Sequence, residues 1–191
     1  MILFEKINEG MRNLKNLRMV VLAGLITAVS IVSKSMFFVV GENLRVYFGY
    51  IAVMTGCYIY GPVLGIFVGF ASDVLGHFLF PSGEYFFGYT LSAMLSGLIY
   101  GMLLYKSRIS FWRVFLAKGL VNVFVNIGLG SLWSKMITGK AYLYFMYKSV
   151  VKNLLLLPIE AIIAFTVLVS LSRYLSKSGF LFKSKANATK V

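Results

Sequence analysis

Residues 61–80 read GPVLGIFVGFASDVLGHFLF, and this stretch decides the fold class. The pair Gly61-Pro62 predicts a turn so tight that the apolar segments on its two sides must be neighbours. Glycines at 61, 65 and 69 recur every four residues and lead to Asp73, which places them along one face of a helix where another backbone can approach closely. The length and apolar character of the run predict a membrane-spanning helix.

The whole chain has the composition of a membrane protein. Of its 191 residues, 59% are hydrophobic and 13% are charged, and the mean hydropathy is +0.84. A spanning helix takes about 20 residues, so the chain supplies six spans with short connectors and leaves no room for a soluble catalytic domain. The single cysteine, Cys57, excludes an internal disulfide and a structural zinc site, so we expect no metal and no resident cofactor.

Glycine, proline and charged residues divide the sequence into six apolar segments. We therefore predict an all-α integral membrane protein, built as a compact six-transmembrane-helix bundle in one domain over residues 1–191. The predicted spans are 18–40, 46–60, 62–80, 87–105, 111–135 and 143–173, and residues 176–191 form a polar cytoplasmic tail.

Basic residues give the orientation of the bundle. An even number of spans places both termini on one side of the membrane. Segments 6–18, 106–113 and 173–190 on that side carry four, three and five Lys or Arg residues, twelve in all, against three on the opposite side. This asymmetry predicts that both termini are cytoplasmic. It also explains the net charge of +13 without nucleic acid as a partner.

Polar residues inside the spans recur at helical spacing. Lys118, Asn122 and Asn126 lie four residues apart in the fifth segment, and Lys148 and Lys152 do so in the sixth. Charges at membrane depth normally face a cavity or a partner, so the two stripes together could receive an anion. Two alternatives stay open, because a lysine can snorkel to the headgroups and Glu160 or Asp73 can tie helices together.

Aromatic residues follow the third segment. Tyr85, Phe86, Phe87 and Tyr89 either form an interfacial belt or stack on a planar ring, and His77 is either a structural residue or a ligand contact. Their position beside the outer connector is compatible with both readings.

Small residues in the first span form a smooth surface. Ala23, Gly24, Thr27 and Ala28 cover adjacent faces of about one helical turn. Such a surface serves packing within the bundle or docking of another protein.

The sequence contains no enzyme signature. It has no G-x-x-x-x-G-K-[ST], no H-E-x-x-H and no G-x-S-x-G with a plausible partner histidine, since His77 is the only histidine in the sequence. A channel is disfavoured because a selectivity filter needs rings of like groups. Binding of a small anionic solute remains, with any energy from ATP supplied by another subunit.

These residues resemble the folate-specific substrate-binding (S) components of energy-coupling factor (ECF) vitamin transporters, over about residues 22–173. The most specific part is Gly88-Tyr89-Thr90-Leu91-Ser92-Ala93. The other matching pieces are the small-residue first span, Arg45 before an aromatic run, Gly61-Pro62-x-x-Gly65-x-x-x-Gly69, Ser72-Asp73-x-x-Gly76, Pro81-Ser82-Gly83-Glu84-Tyr85-Phe86-Phe87, Ser131-Leu132-Trp133, and Lys152 with Pro158-Ile159-Glu160. Two positions depart from the family pattern, since Phe87 stands where proline is expected and Lys148 stands where arginine is expected, and a lysine lacks the bidentate geometry of arginine.

The resemblance implies an ATP-driven importer subunit in the plasma membrane, of a Gram-positive bacterium, that binds folate or reduced folates in an outward-facing cavity. It implies three partner chains, a transmembrane coupling subunit and two cytoplasmic ATPase subunits. A pterin ring suits aromatic stacking and a carboxylate partner, and the glutamate tail suits lysine or arginine. The candidate ligand-binding residues are Arg45, Asp73, Glu84, Tyr85, Tyr89, Lys118, Asn122, Trp133, Lys148 and Lys152, and the candidate docking residues are Ala23, Gly24, Thr27 and Ala28.

Two rival interpretations remain at this stage. The same fold would serve an S component for another planar vitamin or for a queuosine precursor. The chain could also be a structural or assembly membrane protein whose buried charges only tie helices together.

Overall fold

A computed structural model of the chain describes residues 17–35, 37–41, 44–81, 85–139 and 141–177. Six helices and one two-stranded hairpin make up this part of the chain. In order they are α1 (Leu17–Ser35), β1 (Phe37–Gly41), β2 (Leu44–Tyr47), α2 (Gly49–Tyr60), α3 (Pro62–Leu79), α4 (Phe87–Leu104), α5 (Phe111–Thr138) and α6 (Tyr142–Lys177). The predicted tail beyond Lys177 lies outside the described residues.

The six helices confirm the predicted helix count, and the middle of the chain follows the predicted boundaries closely. By length and composition, α3, α4, α5 and α6 are apolar enough to cross a membrane, and α1 contains a shorter apolar stretch, Val20–Ser33. The predicted segments 62–80 and 87–105 correspond to α3 and α4 within one residue.

The start of the chain differs from the prediction. The first segment was expected to run to residue 40, but α1 ends at Ser35 and residues 37–41 form β1, which pairs antiparallel with β2. The second helix accordingly begins at Gly49 rather than at residue 46. The physical reason is local, because Phe37-Phe38-Val39-Val40 is aromatic and β-branched and fits a strand as well as it fits an apolar span.

The turn between α2 and α3 has the predicted geometry. Gly61 adopts a positive φ of 91°, which a side chain would strain, and Pro62 occupies the first turn of α3, where its missing N–H costs nothing. The two helices therefore reverse direction within a single residue.

Glycines bring α3 and α4 into backbone contact. A Cβ placed on Gly97 would collide with the backbone of Gly65, and one on Gly69 would collide with that of Ala93. The thiol of Cys57 on α2 donates to the carbonyl of Gly97 at 3.3 Å and joins a third helix to this contact. Small residues at four-residue spacing thus build the centre of the bundle.

Helix α5 is not a regular α-helix along its whole length. Phe111–Leu120 and Gly130–Thr138 are α-helical, and Val121–Leu129 between them has π-helical geometry. The helix ends at Thr138, and Gly139 after it has a φ of 70°, the left-handed conformation common at helix C-termini. Its last residue lies three positions beyond the predicted end at 135. Helix α6 also exceeds its predicted range of 143–173 and contains Pro158 in its interior.

Candidate functional site

One hydrogen-bonded network joins α3 to the start of α4. The hydroxyl of Thr90 donates to Asp73 Oδ2 at 2.9 Å and lies 2.6 Å from the hydroxyl of Tyr85. The ring of Tyr85 lies 5.2 Å from that of His77, measured between centroids. The structure therefore brings together Asp73, Tyr85 and His77, which the sequence singled out separately.

An aromatic cluster adjoins this network on the side of α5. Trp133 Nε1 donates to the hydroxyl of Ser92 at 2.9 Å, and the Trp133 ring centroid lies 5.6 Å from that of Phe86. Phe86 in turn meets Tyr89 at 6.0 Å. Tyr85 and Tyr89 are both more than two-fifths exposed, which leaves their rings accessible to a ligand.

A buried ion pair connects α5 to α6 at a different level of the bundle. Lys118 Nζ lies 3.2 Å from Glu160 Oε2, and their side chains are 5% and 11% exposed. The ammonium also lies 3.9 Å from the ring centroid of Tyr50 on α2, whose hydroxyl donates to the Glu160 carbonyl at 3.0 Å. Lys118 thus has its charge matched within the protein, which favours the alternative of a helix tie.

Three asparagines form a second junction between α5 and α6. Asn126 donates to the side-chain oxygen of Asn122 at 2.8 Å and to that of Asn153 at 3.4 Å, while Asn122 donates to the backbone carbonyl of Asn153 at 3.4 Å. Asn122 is buried and Asn126 is exposed. Both lie in the π-helical segment, a geometry that is rare and often found at functional sites.

The two lysines of α6 have a different environment from Lys118. Lys152 is half-buried, Lys148 is exposed, and neither forms an ion pair with a described residue. They lie one turn apart in the first third of α6, nearer its start than Glu160 is. These cations are therefore open to an anionic ligand.

Two further predicted contacts are only partly described. Arg45 lies in β2, paired with Val39 of β1. Glu84 lies outside the described residues. Ligand contact at both positions stays a prediction.

The predicted docking residues divide between two environments. Ala23 packs against the buried cluster of Tyr60, Leu64 and Val68, and Thr27 is buried with its hydroxyl bonded to the Ala23 carbonyl at 2.8 Å. Gly24 and Ala28 are exposed, and a Cβ at Gly24 would meet no atom within 4 Å. Only the second pair therefore offers an open surface.

The sequence alone did not identify the residues that contact the candidate ligand-binding side chains. Thr90 and Ser92 belong to the quoted Gly-x-Thr-Leu-Ser-Ala stretch, but no role was given to their hydroxyls, and Tyr50 was not considered. The signal that could have identified them is the presence of two hydroxyls directly after an aromatic connector. Among the described residues, no three His, Cys, Asp or Glu side chains come together as metal ligands.

Comparison with known proteins identifies the class. Residues 14–174 match the family model of the S component of ECF-type riboflavin transporters. This protein therefore belongs to the S-component family of ECF-type transporters, whose members are multi-pass membrane transporter subunits and not enzymes.

Individual relatives are more specific. The chain is 40% identical over 122 residues to the folate transporter FolT of Clostridium novyi (strain NT), which covers 64% of this chain and 71% of that protein. It is 36% identical over 136 residues to the folate transporter FolT of Leuconostoc mesenteroides, covering 68% and 74%. A crystal structure of FolT bound with folic acid is similar at 32% identity and a TM-score of 0.68, over 76% of this chain and 88% of that one. The resemblance to folate-specific S components is confirmed.

Proposed function

We propose that this protein binds folate or reduced folates at the outer end of the bundle and delivers them across the membrane as the S component of an ECF importer. The observation that carries the proposal is the similarity of this chain to a FolT whose structure contains folic acid. The chain also has an aromatic cluster that includes Phe86 and Trp133, and two lysines on α6 that form no ion pair with a described residue.

The chemistry of folate suits the candidate ligand-binding residues. A planar pterin suits stacking on Tyr85, Tyr89 or Trp133. Its adjacent N–H donors suit a carboxylate, for which Glu84 and Asp73 are the candidates. The carboxylates of the glutamate tail suit Lys152, Lys148 and Arg45. Lys118 and Asn122 are engaged in internal bonds, so we assign them a supporting role behind the ligand.

Riboflavin is the second candidate, because the matching family model carries its name. Its ring is also planar and would suit the same aromatic cluster. Riboflavin has no carboxylate, however, and would leave the cations of α6 without an anionic partner. The open lysines therefore favour folate.

Ligand identification tests the proposal most directly. We would purify the chain in detergent, extract bound small molecules for mass spectrometry, and titrate the emptied protein with folic acid and riboflavin by calorimetry. We expect a retained pterin and much tighter binding of folic acid, with a loss of affinity in a Trp133→Ala variant. Retained flavin and no folate binding would support the second candidate. A folded protein that binds neither would support a structural role.

Transport energy is the second part of the proposal. The sequence has no phosphate-binding loop, so we infer that a coupling subunit and two ATPase subunits supply it. In proteoliposomes, the chain alone should bind folate without ATP, and uphill uptake should need all partners. ATP hydrolysis by the pure chain that a point change in its own sequence abolishes would overturn this inference.

A further inference from the structure

The first turns of α4 carry two hydroxyls that face different neighbours. Thr90 and Ser92 are two residues apart, which on a helix rotates their side chains by about 200°. Thr90 accordingly reaches Asp73 on α3, and Ser92 reaches Trp133 on α5. A single segment of α4 therefore contacts both aromatic groups of the candidate site.

The direction of the hydrogen bonds at Thr90 is fixed by its partners. Thr90 has one hydroxyl proton, which it donates to Asp73 Oδ2. Tyr85 must then be the donor in the 2.6 Å contact between the two hydroxyls. This chain of donors, from Tyr85 to Thr90 to Asp73, ties the Tyr85 hydroxyl to α4 and α3, and the Tyr85 ring lies 5.2 Å from that of His77.

Ser92 fixes Trp133 by the same logic. An indole N–H only donates, so the hydroxyl of Ser92 accepts at 2.9 Å. Gly88, one turn earlier on α4, lets Phe86 and Trp133 approach, since a Cβ at this glycine would collide with both rings. The indole is thus held by a hydrogen bond to Ser92 and by its contact with Phe86.

We propose that Thr90 and Ser92 are positioning residues that hold Tyr85 and Trp133 in the orientations used by the ligand ring. This inference rests on the proposed folate function and deepens it. Neither hydroxyl touches the ligand. Each acts through the aromatic side chain that it orients, so that this side chain is already ordered when the ligand arrives. Ordering one such side chain on binding weakens affinity by roughly 3- to 10-fold, which is the loss expected when either hydroxyl is removed.

The first experiment isolates Trp133 as a spectroscopic reporter. The chain has two tryptophans, and Trp112 is 70% exposed on the part of α5 far from Trp133, so Trp112→Phe leaves one indole at the site. In this background we would compare Ser92→Ala with Ser96→Ala. The Ser96 hydroxyl donates to the Ser92 carbonyl of its own helix at 2.8 Å and to no other described residue. We expect Ser92→Ala to shift Trp133 emission, lower its anisotropy without ligand and weaken folic acid binding roughly 3- to 10-fold. Ser96→Ala should leave all three readouts unchanged, and Ser92→Thr should restore them.

The second experiment separates positioning from direct contact. Trp133→Phe removes the indole donor, so adding Ser92→Ala to it should produce no further loss of folic acid affinity. An equal loss in both backgrounds would mean that Ser92 acts without Trp133 and would overturn the inference. Unchanged Trp133 anisotropy in ligand-free Ser92→Ala protein would overturn it as well. Failure of the unaltered protein to bind folic acid would refute the proposed function instead, and the ligand-free anisotropy would still decide the role of Ser92.

Discussion

The small residues between α3 and α4 and those on α1 follow the same four-residue spacing, yet the structure gives them opposite surroundings. Gly97 lies against the backbone of Gly65, whereas Gly24 faces open space and Ala28 is exposed. Spacing therefore predicts that a helix face is smooth, and the neighbouring helices determine whether that face is already covered.

Two lysines show a similar contrast, because one has an ion-pair partner within the protein and the other does not. Lys118 is enclosed with Glu160, and Lys152 on α6 has no ion-pair partner among the described residues. In the sequence both look alike, since each sits on an apolar segment near an asparagine. Lys118, whose charge is paired inside the bundle, stabilises the packing of the helices. Lys152, the open lysine, is the candidate to bind a ligand carboxylate.

The largest effect should come from breaking the buried ion pair between Lys118 and Glu160. Lys118→Met leaves Glu160 buried without its cation, so we expect the free energy of unfolding to fall by about 3–5 kcal/mol. Reversible unfolding in mixed detergent micelles measures this. The double variant Lys118→Met/Glu160→Gln removes both charges and should recover much of the loss. Equal destabilisation in the single and double variants would contradict the role of the pair.

The next effect concerns the open lysine and appears in binding rather than in stability. Lys152→Met keeps most of the bulk and removes the charge, so folic acid binding should weaken by about 1.5–3 kcal/mol if Lys152 pairs with a ligand carboxylate. Lys135→Met is the matched control, because Lys135 is an exposed lysine at the end of α5 and is expected to snorkel. Calorimetry on both variants measures the difference. Unchanged affinity in a folded Lys152→Met protein would assign this lysine to the membrane interface.

The third effect compares the two smooth faces directly. Gly97→Ala places a methyl group against the Gly65 carbonyl, so α3 and α4 must separate and the stability should fall by about 1–3 kcal/mol. Gly24→Ala makes the same chemical change where a Cβ meets nothing within 4 Å, and it should leave the midpoint of thermal unfolding unchanged or slightly higher. Similar losses in the two variants would mean that α1 is also packed at Gly24.

The sequence predicted the helices because hydropathy and punctuation act locally. It missed the hairpin because Phe37-Phe38-Val39-Val40 is as apolar as α1, and the predicted span was continued across Ser33-Lys34-Ser35 to residue 40. It missed the π-helical segment because Val121–Leu129 has an ordinary helical composition, and a shift of backbone hydrogen bonds has no signature of its own.

The sequence predicted which types of residue form the candidate site, but it did not predict their hydrogen-bond partners. Tyr85 was identified because aromatic residues near a connector are distinctive, and Trp133 was identified through the family resemblance. Their bonds to Thr90 and Ser92 depend on how α4 is rotated relative to α3 and α5, and this rotation is set by packing between helices that are distant in sequence. The pairing of Lys118 with Glu160 was not predicted for the same reason. The sequence left the partner of Glu160 open and identified none for Lys118.

The smallest effect on the solitary protein is expected at the open face of α1. Ala28 is exposed and Ala23 packs against Tyr60, Leu64 and Val68, so a tryptophan at the two positions meets different surroundings. Ala23→Trp should overpack the bundle and reduce stability and folic acid binding together. Ala28→Trp should change stability by less than about 0.5 kcal/mol and leave folic acid binding intact.

The same pair of variants decides what covers the open face. If the coupling subunit docks there, Ala28→Trp protein should bind folic acid alone but fail to co-purify with that subunit or support uptake. This loss cannot arise from misfolding, because ligand binding is measured on the same preparation. Full assembly and uptake by Ala28→Trp protein would show that the exposed small residues of α1 face lipid, and the contrast with the α3–α4 contact would then be one between a packed interface and a bare surface.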